Sequence, residues 1–136
     1  MQLDGFVLGH LPAGTGELVE DFTYEWDDVA FNSRVWEREI DGGHQVDLQV
    51  LVLRGPRLAT AAALRDFLAE YHERDPDAWA LSEFQPGEAA GFIGENEAFW
   101  LVEPGVAVQV RFPTGRFGAD ELRATAVGVR PAGPGD

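Results

Sequence analysis

The chain has 136 residues, the length of a single domain that buries roughly two thirds of its unfolded surface. Its 24 acidic and 10 basic residues give a formal net charge of −14, every base is Arg, and Cys is absent. These features exclude disulfides, thiolate catalysis, Cys-based zinc sites and any mechanism that needs a lysine amine. The negative charge also disfavours nucleic acid as a partner, because that affinity depends largely on basic side chains.

Apolar residues make up 45% of the chain and include four Trp and nine Phe, which is enough for a core in a soluble domain. No run of 18 apolar residues occurs, so we expect no direct membrane insertion. The N-terminus lacks a basic stretch followed by an apolar one, as a signal peptide would require. With Met1 as the native start, a cytoplasmic location is expected.

The first part of the chain predicts a strand, an acidic segment and a hairpin. Residues 5–12 form a short strand, and residues 13–28, with six acids and no base, form a loop or an edge segment. Residues 29–39 alternate between apolar and polar side chains. A glycine-rich turn at residues 41–44 then leads to a partner strand at residues 45–53.

Periodicity and turn residues predict two helices and further strands in the rest of the chain. These are a helix at 59–73, strands at 78–84 and 89–94, a hairpin of 97–102 with 106–112, and a helix at 119–127. This order predicts an α+β fold: a mostly antiparallel sheet of about five to seven strands with two helices packed on one face. We expect one domain over residues 1–130 and a flexible tail over residues 131–136.

The order of elements also indicates a family. The pattern begins with a strand that ends in Leu11-Pro12-Ala13-Gly14, followed by a hairpin. It closes with Gly91-Phe92-Ile93, Phe99-Trp100-Leu101-Val102-Glu103, Val106-Ala107-Val108-Gln109-Val110 and Ala119-Asp120-Glu121-Leu122. This order resembles small extracytoplasmic bacterial domains of the lipoprotein-carrier-like and anti-sigma-factor-associated group. The resemblance implies a non-catalytic binding or sensing module that works outside the cytoplasm.

Catalytic signatures are weak. The two serines, Ser33 and Ser82, lie outside any nucleophile elbow, and the glycine-dense residues 9–16 lack the Lys-Ser/Thr ending of a phosphate loop. The three histidines are far apart, and His72 falls at a helix end, where the helix dipole favours an imidazolium. Asp47 is the best-placed acid–base candidate, but strand alternation already predicts that it points away from the core. We therefore predict no catalytic residue, no metal and no cofactor.

The polar side of the predicted sheet is the more informative feature. If the Val and Leu rows face the helices, one set of side chains points the other way: Asn32, Arg34, Trp36, Arg38, Asp47, Gln49, Gln109 and Arg111. Arg and Trp are common anchors of interfaces. The predicted contact residues are Trp36, Arg34, Arg38, Asn32, Gln49 and Arg111. Their partner would be an acidic peptide, another protein or a second copy of the chain; the alternative is a solvated face held by cross-strand pairs.

Two functional hypotheses follow from these patterns. The first is a non-catalytic binding or interaction domain that uses the open sheet face around Trp36, and the resemblance implies a sensor-like module. The second is a small-ligand-binding protein, or a modest hydrolase, with a pocket between sheet and helices and with Asp47 or a Glu as base. A purely structural or dimerising domain is a third possibility. Trp26, Trp79 and Trp100 are expected to pack in or near the core.

Overall fold

The computed structural model describes residues 1–135, in which ten strands and two helices occur. The strands of the first half are β1 (Gln2–Leu3), β2 (Phe6–Leu8), β3 (Leu18–Trp26), β4 (Val29–Ile40) and β5 (Gly43–Arg54). They are followed by α1 (Ala61–Tyr71), β6 (Ser82–Phe84), β7 (Ala90–Ile93), β8 (Glu97–Glu103), β9 (Val106–Arg111), α2 (Ala119–Gly128) and β10 (Val129–Pro131).

Seven of these strands form one antiparallel sheet with the order β3-β4-β5-β9-β8-β7-β6. Three short strands from the two ends of the chain form a second sheet with the order β1-β2-β10. The predicted α+β class with a mostly antiparallel sheet is confirmed. The acidic segment after residue 13 contains β3, an edge strand. Neither described helix is long and apolar enough to cross a bilayer.

Both predicted hairpins are confirmed, and their turns explain them. Asp41 and Gly42 join β4 to β5, and Gly42 has a φ of 76°, in the left-handed region that Gly adopts without steric cost. Pro104 and Gly105 join β8 to β9, and Gly105 has a φ of 90°. A proline followed by a residue of positive φ is typical of a type II turn. Local turn chemistry therefore sets the pairing of the central strands.

Helix α1 covers one face of the large sheet, called the α1 face here. The helix begins after Thr60, whose hydroxyl accepts a hydrogen bond of 3.0 Å from the backbone N–H of Ala63. Its buried side chains include Leu64, Phe67 and Leu68, which pack in the same apolar cluster as side chains of β4, β5, β8 and β9. The predicted helix is confirmed, with slightly shorter bounds than the apolar stripe indicated.

Helix α2 covers the opposite face, called the α2 face, so the prediction that both helices pack on one face is wrong. Leu122 and Ala126 of α2 belong to a second apolar cluster, with side chains from the small sheet and the alternate residues of the central strands. In β5, Val50 and Val52 face α2, whereas Leu51 and Leu53 face α1. Because successive strand residues point to opposite faces, these consecutive apolar residues require a cover on both sides.

A buried carboxylate lies where three parts of the chain meet. Asp47 of β5 is 0% exposed and accepts hydrogen bonds of 2.9 Å each from the backbone N–H of Gly16, from Arg38 Nε and from Arg116 Nη1. Arg116 also donates to the carbonyl of Gly14 at 2.6 Å. The prediction that Asp47 points away from the core into solvent is wrong. Its carboxylate fastens β4, the segment before β3 and the segment before α2 to one another.

Position 16 requires glycine, because the segment before β3 passes close to the backbone of β4. A Cβ atom on Gly16 would lie 2.2 Å from the carbonyl oxygen of Glu37, a distance that no side chain tolerates. The register of β4 and β5 shifts between Trp36 and Glu37, which marks a β-bulge at this point. The close approach lets the Gly16 N–H reach Asp47.

The C-terminal pairing extends past the predicted domain boundary at residue 130. Strand β10 continues to Pro131, and the backbone N–H of Ala132 donates to the carbonyl of Gly5 at 2.8 Å. The predicted flexible tail thus begins with two residues that bond to the N-terminal segment, and Asp136 lies outside the described residues.

We predict that Asp47→Asn lowers the free energy of unfolding by about 3 kcal/mol. The substitution removes a negative charge that two arginines share and leaves donors without a full set of acceptors. Urea unfolding, followed by Trp fluorescence, measures the change. Asp41→Asn, in the exposed β4–β5 turn, makes the same chemical change and should leave the midpoint nearly unaltered. Equal midpoints for the two variants would contradict the role given to Asp47.

Candidate ligand-binding cleft

The open sheet face predicted around Trp36 does not exist in the structure. Trp36 is 2% exposed and belongs to the apolar cluster beneath α2. The prediction failed because it assigned one apolar and one polar face to the hairpin, whereas α2 and the small sheet cover the side to which Trp36 points. Trp36 contributes to the core and is not available to a partner. By contrast, Trp79 and Trp100 are buried and Trp26 is half-buried, as expected.

Two other predicted contact residues are engaged with the N-terminal strands on the α2 side. Arg34 donates to both carboxylate oxygens of Asp21, at 2.6 and 2.8 Å, and to the carbonyl of Gln2 at 2.9 Å. Asn32 donates to Asp4 at 3.0 Å. The pKa of Asp21 is lowered by its hydrogen bond to Arg34. These contacts already occupy the polar groups that the prediction assigned to a partner.

Arg38 lies beside the β-bulge at Trp36 and Glu37, apart from the contacts of Arg34 and Asn32. Its Nε bonds to Asp47, and its Nη2 donates to Gln45 Oε1 at 2.9 Å. The bulge interrupts the simple alternation that had placed Arg38 in one row with Arg34. The six predicted contact residues are therefore divided among four places, the fourth being that of Gln49 and Arg111.

Gln49 and Arg111, the last two, do lie together, on the α1 face. They are direct cross-strand partners in β5 and β9, and Arg111 is also the cross-strand partner of Glu97 in β8. Direct partners in an antiparallel pair point to the same face. Gln49 Nε2 donates to Ser33 Oγ at 3.0 Å, while Arg111 Nη1 lies 3.4 Å from Gln49 Oε1, which is long for a hydrogen bond. This row of Gln49, Arg111 and Glu97 is called the polar row.

A cleft of about 460 Å³ opens at the Arg111–Glu97 end of the polar row. Its walls come from the segment after α1, the turn before β8 and the end of β9. The lining residues are Arg74, Asp75, Ala78, Trp79, Ala80, Gly94, Glu95, Asn96, Glu97, Arg111, Phe112 and Pro113. The cleft thus combines charged groups of both signs with an aromatic and aliphatic wall, as small-molecule sites do.

Glu97 is the most unusual group in this cleft. Its side chain is 8% exposed, and its Oε2 pairs with Arg74 Nη2 at 2.8 Å. Its Oε1 is buried and has no hydrogen-bond partner. A buried polar atom without a partner costs about 1–3 kcal/mol, and more when it belongs to a charged group. The cleft therefore holds an acceptor that a bound donor would satisfy.

Arg74 is positioned by the way α1 ends. The backbone N–H of Arg74 donates back to the carbonyl of Ala69 at 2.7 Å, and Glu73 adopts a φ of 54°. This left-handed residue reverses the chain after the last turn. The Arg74 guanidinium then lies 5.0 Å from the ring centroid of Trp79 while it pairs with Glu97. One arginine thus connects the aromatic wall to the buried carboxylate.

His72 directly follows α1 and contacts Gln109 of β9, and its imidazole is neutral. Its Nε2 is 3.1 Å from Gln109 Nε2, which can only donate, so the imidazole accepts. Burial, together with the positive charge of Arg111, lowers the pKa of His72 from its usual 6.5 to about 4. The expectation of an imidazolium at this helix end is wrong, because desolvation and Arg111 outweigh the helix dipole. Gln109 Oε1 is a second buried acceptor without a partner.

A period-2 signal in the sequence could have identified Glu97. Strand β8 places Glu97 in phase with Phe99, which is buried on the α1 face. A carboxylate in phase with core side chains at the start of a buried strand is unusual, because Glu is rarely buried without a partner. The sequence interpretation considered Asp47 and overlooked this second buried acid.

The cleft offers charge, hydrogen bonding and apolar contact. Its lining, as described, contains no Ser, Thr, Lys or His, and Cys is absent from the chain. Within residues 1–135, no group of three or more His, Asp or Glu side chains is arranged to hold a metal ion.

We predict that His72 makes stability depend on pH in a defined window. Because its pKa is lower in the folded state, the folded protein favours the neutral form, and this contribution is lost as the pH falls from about 6.5 to about 4. The free energy of unfolding of the unmodified protein should fall more over this window than that of His72→Gln. His44→Gln, at an exposed position, serves as the control. Parallel pH profiles for the protein and the His72 variant would contradict the neutral, buried assignment.

Comparisons of this chain with protein-family models, with curated proteins and with solved structures gave no match in any of the three. The functional interpretation therefore rests on the geometry of the cleft.

Proposed function

We propose that this domain is a non-catalytic binding protein that holds a small polar ligand in the cleft at the Arg111–Glu97 end of the polar row. The observation that carries the proposal is the unpartnered Glu97 Oε1, a buried charged acceptor in the wall of a cleft. A ligand that donates to this oxygen offsets the cost of its burial, and that gain appears as binding free energy.

Arg111 supports the same proposal. Its side chain is half-buried, and its one hydrogen bond within the described residues is the long contact to Gln49. A guanidinium has five N–H donors, so most of its capacity is left for a ligand. Trp79 contributes an aromatic ring to the wall, which apolar parts of a ligand can contact.

Binding fits this site better than hydrolysis. The cleft lining offers no hydroxyl, thiol, amine or imidazole group, and Glu97 Oε2 is committed to Arg74. Asp47, the earlier candidate base, is enclosed by three donors elsewhere in the fold. A sensor-like role, as the resemblance in element order implies, is compatible with a ligand-binding cleft of this kind.

We predict that Glu97→Gln weakens ligand binding at least about tenfold, which corresponds to 1.4 kcal/mol. The probes are D-glucose, putrescine, citrate, adenosine and L-leucine, and the measurement is the change in backbone amide shifts of the ¹⁵N-labelled protein. At least one probe should shift the amides of residues 94–97 and 111 together.

Glu103→Gln is the matched control, because it makes the same change at an exposed position of the same strand. It should leave the affinity within about twofold. If no probe shifts the cleft amides, or if Glu97→Gln binds like the unmodified protein, the proposed function is wrong.

A further inference from the structure

Glu97 and Arg111 are opposite charges on directly paired positions of β8 and β9, where Cβ atoms are typically about 4.5–5.5 Å apart. Neighbours of this kind ordinarily form an ion pair. Here Glu97 pairs with Arg74, and no ion pair joins it to Arg111 among the described residues. Both side chains line the same cleft. The fold thus holds a carboxylate oxygen and a guanidinium close together, with much of the capacity of each unused.

The Glu97 carboxylate and the Arg111 guanidinium require complementary groups on a ligand. Glu97 Oε1 is an acceptor and needs a donor, preferably a cationic one. Arg111 carries only donors and needs an acceptor, for which a carboxylate has the matching forked geometry. A single small ligand satisfies both when it carries a cationic N–H group and a carboxylate a few ångströms apart.

From this juxtaposition we propose that the cleft binds a zwitterionic α-amino acid with an apolar side chain. Its ammonium group donates to Glu97 Oε1, and its carboxylate accepts from Arg111. This assignment rests on the proposed ligand-binding function and names the class of ligand.

The charge of the whole lining supports a zwitterion over a simple ion. Arg74 and Arg111 are the two cationic residues, and Asp75, Glu95 and Glu97 are the three anionic ones. A purely cationic ligand would meet two arginines, and a purely anionic ligand would meet three carboxylates. A ligand with both charges and no net charge can place each one beside its opposite.

The rest of the lining indicates the side chain of the ligand. Trp79 provides an aromatic ring, and Ala78, Ala80 and Pro113 add apolar surface to the lining of the cleft. An aliphatic or aromatic ligand side chain would gain contact area there. A polar side chain placed against this surface would lose hydrogen bonds to water.

Calorimetric titration with three related probes at neutral pH tests the proposal. L-leucine carries both charges, N-acetyl-L-leucine lacks the ammonium group, and L-leucinamide lacks the carboxylate. L-leucine should bind, and each of the other two should bind at least about tenfold more weakly, because one charged contact is missing in each case.

Two variants assign each charge of the ligand to its residue. Glu97→Gln should abolish the preference for L-leucine over N-acetyl-L-leucine while the preference over L-leucinamide remains. Arg111→Gln should do the reverse. Glu103→Gln should keep both preferences, and an amide spectrum like that of the unmodified protein shows that each variant is folded.

The outcomes separate this inference from the proposed function. If L-leucine does not bind, or if all three probes bind equally, the zwitterion assignment is overturned. If another compound then binds at the cleft and depends on Glu97, the ligand-binding function stands and only its ligand class is wrong. If both variants lose both preferences equally while folded, the assignment of one charge to each residue is also overturned.

Discussion

The central strands of this domain are apolar on both faces, and the rest of the architecture depends on that constraint. In β5, Val50 to Leu53 are four consecutive buried apolar residues, which point alternately to the two sides. Neither side can be left to solvent, so the sheet needs two separate covers. Helix α1 provides one, and α2 with the small sheet provides the other. The N-terminal and C-terminal strands pair with each other because together they complete the second cover.

The cleft exists because α1, which covers the α1 face of the sheet, is short. Helix α1 has eleven residues, about 16 Å, which is shorter than a sheet of seven strands is wide. The helix ends at Tyr71, and the chain turns back at Glu73 so that Arg74 reaches Glu97. The polar row occupies the part of the α1 face near this end. A cleft therefore opens where apolar cover gives way to charged side chains.

Two buried carboxylates show how differently the fold treats its charges. Both oxygens of Asp47 are occupied, by a backbone N–H and two arginines, which is the arrangement of a structural group. Only one oxygen of Glu97 is occupied, and the other is buried in the wall of the cleft without a partner. The same fold thus supplies hydrogen-bond donors to both oxygens of one buried acid and to only one oxygen of the other. The difference between the two residues is the physical basis for assigning function to Glu97.

Sequence reasoning was accurate where a local signal determines the outcome. Asp41 with Gly42, and Pro104 with Gly105, encode the two hairpin turns, and Thr60 encodes the start of α1. These signals need only a few neighbouring residues. The two hairpins, both helices and the α+β class could therefore be predicted.

The assignment of faces could not be predicted in the same way, because it depends on long-range pairing. The bulge at Trp36 and Glu37 shifts the register, so Arg34 and Arg38 no longer follow one another on a face. Gln49 pairs with Val35 and Arg111, not with the side chains of Arg34 or Trp36. Of the predicted contact residues, only Arg111 lines the cleft, and Gln49 lies beside it in the polar row. Glu97, which completes that site, was missed because its partners come from distant segments.

The account depends most on the claim that Glu97 and Arg111 are held in one cleft without neutralising each other. A high-resolution crystal structure of the ligand-free protein measures this directly, through the separation of Glu97 Oε1 from the Arg111 guanidinium and the water between them. We predict that the two groups remain unpaired across an open, hydrated cleft while Arg74 holds Glu97 Oε2. A direct ion pair between Glu97 and Arg111 that closes the cleft would contradict the account.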